Sequence, residues 1–350
     1  MKRRILLVFL AAMLVVSMAA FVACGEDEGT PTTPTGPSTE VYEWNLACGA
    51  PLTGSYLEFF ESFSTDIERI TNGRVKITNY FAGTLGSAAD QLEMLNSGIA
   101  HIIYHVPPWS PGIFPLSELP ALPFICATPT SINLYGKFLM QWDKCTEYDD
   151  YKVIAMCAPP SGRIWFADKK VTSLDDIKGM KIRTGGGIYA RIPEVLGATA
   201  VQTPTADTYM TIERGLAEGL ITDPGYMEMI KGWEIVKYGL NTPLYLGIHE
   251  LLMSKELWDS LPDDLKLILD EYFQGFMTRW LLVAIEWETS ARDALTSNGI
   301  EFYDLSDAEL SRWAALWEPL IDEWITEQEA KGLPAREAVE AARNLTFYEK

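Results

Sequence analysis

Residues 262–297 impose the strongest constraint on how this chain folds. The stretch has no proline after its first residue and a single glycine, Gly275. Apolar side chains recur along it every three or four residues, which is the pattern of a buried helical face. They are Leu265, Ile268, Leu269, Tyr272, Phe273, Phe276, Trp280, Val283, Trp287, Ala291 and Leu295. A helix of about 36 residues is about 54 Å long, so we expect it either to contact two lobes or to kink at Gly275.

The sequence after residue 41 alternates between strand-like and helix-like segments. Such alternation predicts an α/β fold with mostly parallel sheets. A second run of the same kind begins near residue 160 and continues to about residue 246. Two lobes are expected for a chain of this length. The first run comprises strands at 42–48, 75–80 and 99–104 and helices at 57–70 and 88–97.

One arginine occupies a position that favours anion binding. Arg183 ends the strand-like segment 180–183 and precedes three glycines at 185–187 and a helix expected from about residue 188. Open α/β sheets bind ligands at the carboxyl ends of their strands. A guanidinium can donate two parallel hydrogen bonds to a carboxylate, and a helix N-terminus favours an anion further. The pattern predicts a carboxylate site, and an ion pair with a surface acid is the alternative.

Several short motifs occur in a fixed order around Arg183. They are Gly-Arg-Val-Lys-Ile at 73–77, Gly-Thr-Leu-Gly at 83–86, Gly-Met-Lys-Ile-Arg at 179–183, Leu-Gly-Ala at 196–198, the segment 209–219 and Trp-Asp-Ser-Leu-Pro at 258–262. This order resembles the extracytoplasmic solute receptors of TRAP transporters, the tripartite carriers in which a receptor delivers its solute to a membrane permease. The resemblance implies a periplasmic-binding-protein-like fold, with two α/β lobes around a cleft and a long helix spanning both.

The resemblance also implies a division of the chain into segments. Lobe 1 covers residues 42–160 and is completed by about 249–280, whereas lobe 2 covers 161–248 and is completed by about 281–350. Solute bound in lobe 2 recruits lobe 1, and the closed receptor docks on the permease.

In the resembled receptors the solute carboxylate is anchored by an arginine that matches Arg183. A second arginine that often assists matches Arg163, and a residue that is often an amide is here Asp223. His105, from the opposite lobe, is a candidate donor to the ligand or a loop-capping residue, and Thr205 is a candidate for the pocket floor. Trp109, Trp165 and Tyr226 are expected to add aromatic faces, and packing in the core is the alternative for each tryptophan.

Two cations together with aromatic faces favour an aromatic or apolar carboxylate over a sugar acid. The alternative is a solute bridged by Ca²⁺ or Na⁺, for which Asp223 and Glu250 are the candidate ligands. Otherwise no cofactor is expected. A further alternative is a sensory receptor that feeds a signalling partner instead of a transporter. An exported hydrolase is disfavoured because the sequence has only three histidines and no Gly-x-Ser-x-Gly motif.

The N-terminus predicts export and a lipid anchor. Basic residues at 2–4 precede an apolar run, and Phe-Val-Ala-Cys at 21–24 resembles a lipoprotein cleavage site. We expect residues 1–23 to be a signal peptide, Cys24 to be lipidated and residues 24–41 to form a flexible tether. A retained transmembrane helix is the alternative.

The charge of the chain disfavours two kinds of binding partner, and its cysteines leave the presence of a disulfide open. The formal net charge of −20 disfavours nucleic acid and anionic lipid as binding partners. Cys48, Cys126, Cys145 and Cys157 allow one disulfide of unknown pairing or buried free thiols.

Overall fold

The computed structural model describes residues 40–52, 54–126 and 128–345. The predicted signal peptide, Cys24 and nearly all of the predicted tether lie outside these residues. No helix in the described ranges combines the length and the apolar character that crossing a bilayer requires.

Strands and helices alternate through most of the described chain. The strands are β1 (Tyr42–Cys48), β2 (Val75–Tyr80), β3 (Ile102–His105), β4 (Tyr151–Cys157), β5 (Arg163–Phe166), β6 (Lys181–Thr184), β7 (Thr199–Gln202), β8 (Gly219–Thr222), β9 (Tyr238–Leu240), β10 (His249–Ser254) and β11 (Glu301–Tyr303). The α-helices are α1 (Gly54–Ile70), α2 (Gln91–Asn96), α3 (Pro115–Glu118), α4 (Pro129–Gln141), α5 (Leu174–Ile177), α6 (Arg191–Val195), α7 (Thr208–Glu213), α8 (Pro224–Met229), α9 (Lys255–Ser260), α10 (Asp263–Ser297), α11 (Asp307–Ala315), α12 (Glu318–Glu329) and α13 (Ala335–Leu345). Short 3₁₀ helices cover Ala88–Asp90, Pro107–Trp109, Leu119–Ala121, Gly187–Ala190, Thr205–Asp207 and Gly232–Glu234.

The strands form two sheets, each built from one half of the alternating pattern and completed by a later strand. The first sheet has the order β2-β1-β3-β10-β4 and the second has the order β11-β9-β5-β8-β6-β7. The predicted α/β fold is confirmed.

The expectation of mostly parallel sheets needs correction, because both sheets are mixed. Strand β1 is parallel to β2 and β3, but β10 is antiparallel to β3 and β4. In the second sheet β6 is parallel to β7 and β8, whereas β5 is antiparallel to β8 and β9. Strand β5 is the first strand of the second sheet along the chain, and β10 is the strand with which the chain returns to the first sheet.

Helix α1 packs its aromatic stripe against the long helix α10. Phe59 stacks on Phe276 with ring centroids 4.7 Å apart, and Phe60 meets Trp280 edge-on at 5.1 Å. Three of these four rings are fully buried and Phe59 is nearly so. Aromatic pairs of this kind add about 0.5–1.5 kcal/mol beyond the burial of their area. The contacts fix α10 against the first sheet.

The predicted long helix is confirmed as one continuous element, α10, of 35 residues. It does not break at Gly275, where an added Cβ would meet no atom within 4 Å. Its first half packs on α1, and farther along it contacts β4, α4 and α8. One helix therefore contacts β4 of the first sheet as well as α8, which directly follows β8 of the second sheet.

Glu288 of α10 ties the long helix to the start of the second sheet. Its carboxylate accepts hydrogen bonds from the Ser161 amide at 2.9 Å, from the Ser161 hydroxyl at 3.0 Å and from Nη2 of Arg163 at 2.5 Å. The Arg163 guanidinium also donates to the carbonyls of Ser161 and Asn241. Arg163 is only 4% exposed, so this ion pair is largely desolvated.

The four cysteines of the described chain are free thiols. Cys48, Cys126 and Cys157 are buried and Cys145 is partly buried. Burial raises the pKa of Cys48, Cys145 and Cys157 to about 12, which keeps these thiols protonated at neutral pH. The second of the two sequence-based alternatives, free thiols, is what the structure has.

We expect Glu288→Ala to destabilise the protein by about 3–5 kcal/mol, because it leaves the Arg163 charge buried without a counter-ion. Urea unfolding measures this change. Glu286→Ala is the matched control, since Glu286 is exposed on the same helix, and it should change stability by less than about 0.5 kcal/mol. Equal effects of the two substitutions would contradict the assigned role of the ion pair.

Candidate functional site

A cleft of about 450 Å³ lies where the carboxyl ends of β6, β7 and β8 meet the loop that follows β3. The β3 loop contributes Val106, Pro108, Trp109 and Pro111 to its lining. The second sheet contributes residues that follow its strand ends, among them Arg183, Thr203 and Asp223. The start of β10 closes one side with His249. Residues from both sheets therefore face one cavity.

Arg183 lies in this cleft at the end of β6 and is only 4% exposed. Backbone pairing with Val201 of β7 and Leu220 of β8 fixes its position. Its Nε donates to the hydroxyl of Thr203 at 3.1 Å, and its Nη2 donates to the Thr203 carbonyl at 2.8 Å. No acidic side chain in the described ranges forms an ion pair with it. The guanidinium is thus oriented by neutral groups only.

The electrostatic environment of Arg183 is that of a buried cation. Burial lowers the pKa of Arg183, while the nearby Tyr226, Tyr245 and Asp207 act in the opposite direction. An arginine remains protonated even when its pKa falls somewhat. The cleft therefore contains a buried positive charge that no acidic side chain of the described ranges pairs with.

The residues after Arg183 shape the cleft next to the guanidinium. The side chain of Thr184 is fully buried, and its hydroxyl has no hydrogen-bond partner among the described residues. Gly187 then adopts a φ of +66°, which L side chains rarely do. The expected helix from about residue 188 is instead a 3₁₀ turn, Gly187–Ala190, followed by the short helix α6. This turn brings Gly185, Gly186 and Gly187 into the lining.

Asp223 lies in the same cleft at the end of β8. It is the N-cap of α8, and its Oδ1 accepts a hydrogen bond from the Tyr226 amide at 2.9 Å. Burial raises the pKa of Asp223 to about 6, although backbone amides that donate to it act against the shift. Gly225 lets α8 approach the long helix, because a Cβ there would lie 2.4 Å from the Trp287 ring.

Aromatic side chains supply much of the remaining wall. Trp109 comes from the β3 loop, and Tyr189 and Tyr245 lie together with ring centroids 5.0 Å apart. The hydroxyl of Tyr226 donates to the Thr205 carbonyl at 2.5 Å, which holds its ring beside Arg183. These rings offer flat apolar surfaces next to a single cation.

His249 adds a neutral polar group to the lining. Its Nδ1 is hydrogen-bonded to the hydroxyl of Tyr104. Burial lowers the pKa of His249 to about 3, and the nearby His105 acts in the same direction. The imidazole is therefore uncharged near neutral pH and adds no second positive charge to the cleft.

Five of the predicted site residues lie in the cleft lining, namely Arg183, Trp109, Thr205, Asp223 and Tyr226. Three lie elsewhere. Arg163 is held by Glu288 and faces a different cavity. Trp165 is fully buried, donates to the Thr222 carbonyl and packs on Phe302.

His105 is the third residue outside the lining. It is fully buried, with Nδ1 bonded to Glu250 at 2.7 Å and Nε2 bonded to Ser110 at 3.0 Å. Glu250, a candidate metal ligand, is committed to His105 and to the hydroxyl of Tyr148 and does not line the cleft. The described ranges contain no group of three or more His, Cys, Asp or Glu side chains arranged to hold a metal ion.

Sequence reasoning missed several residues of the lining, namely Thr184, Tyr189, Thr203, Tyr245 and His249. Tyr189 lies two residues after the three glycines, within the Gly187–Ala190 turn, so its neighbourhood carried a local signal. Tyr245 and His249 reach the cleft because the chain crosses back to the first sheet there and β10 begins. No local pattern marks such a crossing.

Comparisons with known proteins agree with this geometry. Residues 49–328 match the family described as bacterial extracellular solute-binding protein, family 7. A TRAP periplasmic solute-binding protein from Desulfovibrio salexigens has the same fold, with a TM-score of 0.79, 26% sequence identity and coverage of 88% of this chain and 97% of that chain. A marine metagenome TRAP solute-binding protein specific for aromatic acid ligands, solved with metahydroxyphenylacetate, gives a TM-score of 0.80, 25% identity and coverage of 88% and 100%.

The C4-dicarboxylate-binding periplasmic protein DctP of Rhodobacter capsulatus is 24% identical over 287 residues, which are 78% of this chain and 84% of that protein. The predicted family is confirmed, and with it the prediction of a receptor rather than an enzyme, because the family consists of solute-binding proteins that work outside the cytoplasm. This chain belongs to family 7 of the bacterial extracellular solute-binding proteins and is a TRAP-type solute receptor.

Proposed function

We propose that this receptor binds a small organic monocarboxylate through Arg183. The observation that carries the proposal is the state of the guanidinium, which is buried in the cleft, held by Thr203 and free of acidic partners in the described part of the chain. A desolvated charge without a counter-ion is costly. A carboxylate would neutralise it and accept charge-assisted hydrogen bonds from it.

Thr184 supports the same placement of the carboxylate. Its buried hydroxyl has no partner in the described ranges, and Thr184 lines the same cleft as Arg183. An unsatisfied buried hydroxyl costs about 1–3 kcal/mol. A carboxylate oxygen that accepts from this hydroxyl would remove that cost and reinforce the anchor.

The aromatic walls favour an aromatic or apolar acid. Trp109, Tyr189, Tyr226 and Tyr245 line the cleft, and flat rings provide apolar surface at low conformational cost. A polyhydroxylated acid would need many polar partners, which these rings do not supply. The marine receptor of similar fold is specific for aromatic acids, which points in the same direction.

Binding is expected to close the cleft. Arg183 lies in the second sheet and Asp223 directly follows one of its strands, whereas Trp109 lies in the loop that follows β3 of the first sheet. A solute held first by Arg183 gains the contact with Trp109 only when the two lobes approach, so it favours the closed form. We assign the lobes to residues 42–160 and 161–248, completed by about 249–280 and 281–350 respectively.

The receptor then delivers its solute to the permease subunits of a TRAP transporter. It acts outside the cytoplasm, in the periplasm or at the outer face of the cytoplasmic membrane, and is held there by a lipid on Cys24. The segment 24–41, rich in threonine, proline and glycine, serves as the tether.

Arg183→Ala should weaken binding of benzoate or 3-hydroxybenzoate at least about 100-fold while leaving the thermal unfolding transition cooperative, because it removes the charge that pairs with the carboxylate. Arg183→Lys should restore little of the affinity, since an ammonium lacks the planar fork. Isothermal titration calorimetry measures both.

Arg191→Ala is the matched control. Arg191 lies eight positions along the chain, is half exposed, and among the described residues its side chain forms an ion pair with Glu323 only, at 3.6 Å. Its removal should leave affinity within about twofold, as expected for a surface ion pair. Near-normal affinity in Arg183→Ala would move the carboxylate anchor to another residue.

The lipid anchor makes a separate prediction. Cells that express the full chain should incorporate a labelled fatty acid into the wild-type protein and not into Cys24→Ser, because the thioether at Cys24 is the attachment point. Cys145→Ser, which removes a cysteine that is not fully buried, should retain the label. An unlabelled wild-type protein whose intact mass includes residues 1–23 would instead support a retained transmembrane helix.

A further inference from the structure

Asp223 and Arg183 flank one cavity from adjacent strands. In the parallel pairing of β6 with β8, Arg183 lies opposite Leu220, three residues before Asp223. Both side chains line the same cleft of about 450 Å³. A solute anchored at Arg183 by its carboxylate therefore brings a second negative charge into a small space that already contains the Asp223 carboxyl group.

The protein uses only part of the hydrogen-bonding capacity of the Asp223 carboxyl group. The Tyr226 amide donates to Oδ1, as at any helix N-cap. Neighbouring backbone amides also favour its charged form. No side chain in the described ranges donates to it or forms an ion pair with it, and the Tyr226 hydroxyl is committed to the Thr205 carbonyl. One face of the carboxyl group is left without a side-chain donor at the lining of the cleft.

We infer that Asp223 accepts a hydrogen bond from the solute, so that the solute is a carboxylic acid that also carries a hydroxyl or N–H donor away from its carboxylate. The inference rests on the proposed function, since Arg183 must hold the carboxylate. A solute without such a donor would desolvate Asp223 and leave it unpaired, which typically costs about 10-fold or more in affinity. Asp223 then selects among acids that Arg183 alone would accept equally.

Among the described groups that face Asp223, none changes its charge between about pH 5 and about pH 8, so the charge that changes in this range is that of Asp223. Burial raises the pKa of Asp223 to about 6. Burial lowers the pKa of His249 to about 3, so that this imidazole stays neutral. Glu288 on the long helix is ion-paired with Arg163. The tyrosines facing Asp223 have raised pKa values and stay neutral, and they are Tyr56, Tyr104, Tyr226 and Tyr245.

The test compares acids that carry a donor with matched acids that lack one. Benzoate is compared with the three hydroxybenzoates, and cyclopentanecarboxylate is compared with pyroglutamate, whose lactam adds an N–H together with a carbonyl. At least one donor-bearing acid should bind wild type about 10-fold or more tightly than its partner without the donor. Isothermal titration calorimetry measures the two dissociation constants and hence their ratio. It is performed at about pH 8 because Asp223 is then ionised.

Asp223→Asn should reduce this ratio to about twofold or less. Its amide oxygen still caps α8 through the Tyr226 amide, which turns the NH₂ group toward the cleft and replaces an acceptor with a donor. Asp207→Asn is the matched control, because it removes an acidic charge that also acts on Arg183 from a residue outside the lining. The control should keep the wild-type ratio.

The wild-type ratio should also fall between about pH 8 and about pH 5, as Asp223 becomes protonated and a weaker acceptor, while the ratio for Asp223→Asn stays constant. A wild-type ratio near one for every pair would overturn the inference while leaving the Arg183 anchor intact. A ratio that survives in Asp223→Asn would overturn it as well. If none of these acids binds wild type, the proposed function fails first and the inference falls with it.

Discussion

The cleft depends on one charge that the fold buries without neutralising. Arg183 and Arg163 are equally inaccessible, each 4% exposed, yet their surroundings differ. Arg163 has a carboxylate partner in Glu288, together with two backbone carbonyls. Arg183 has only the hydroxyl and carbonyl of Thr203. A buried arginine with a counter-ion stabilises a junction, whereas one without a counter-ion is poised for an anion from outside.

The rest of the architecture keeps that charge available. Strand β6 is fixed between β7 and β8, so the guanidinium emerges at a defined edge, and the turn at Gly187 places three glycines beside it in the lining. The long helix α10 holds α8 through the contact of Gly225 with Trp287 and holds the start of β5 through Glu288. A continuous helix that contacts elements of both sheets connects the two sides of the cleft, which is compatible with the proposed closure on a solute.

Much of the fold was predictable because its signals are local. The apolar periodicity of residues 262–297 specified a helix whose observed bounds differ by one residue at its start. The position of Arg183 at a strand end before three glycines was also a local pattern, and it led to a residue that lines the cleft. The direction of a strand, in contrast, cannot be predicted from a local sequence pattern. The antiparallel course of β5 and β10 depends on which strands they pair with, and these partners are distant in the sequence.

The predicted site residues that lie outside the cleft lining show the same limit. Whether His105 or Trp165 reaches the cleft depends on partners far away in the sequence, Glu250 for the first and the Thr222 carbonyl for the second. Tyr245 and His249 also reach the lining through the tertiary structure, since they lie where the chain returns to the first sheet and β10 begins. Residue type identified candidates, and tertiary contacts decided among them.

Mass spectrometry of the solute released when the purified receptor is denatured tests the central claim most directly, because it asks what the unpaired Arg183 holds in the cell. Wild-type protein purified from a rich medium should release a small carboxylic acid of defined mass, and Arg183→Ala purified in parallel should release none of it. Release of the same acid in equal amount from both proteins, or of a solute without a carboxylate, would contradict the account.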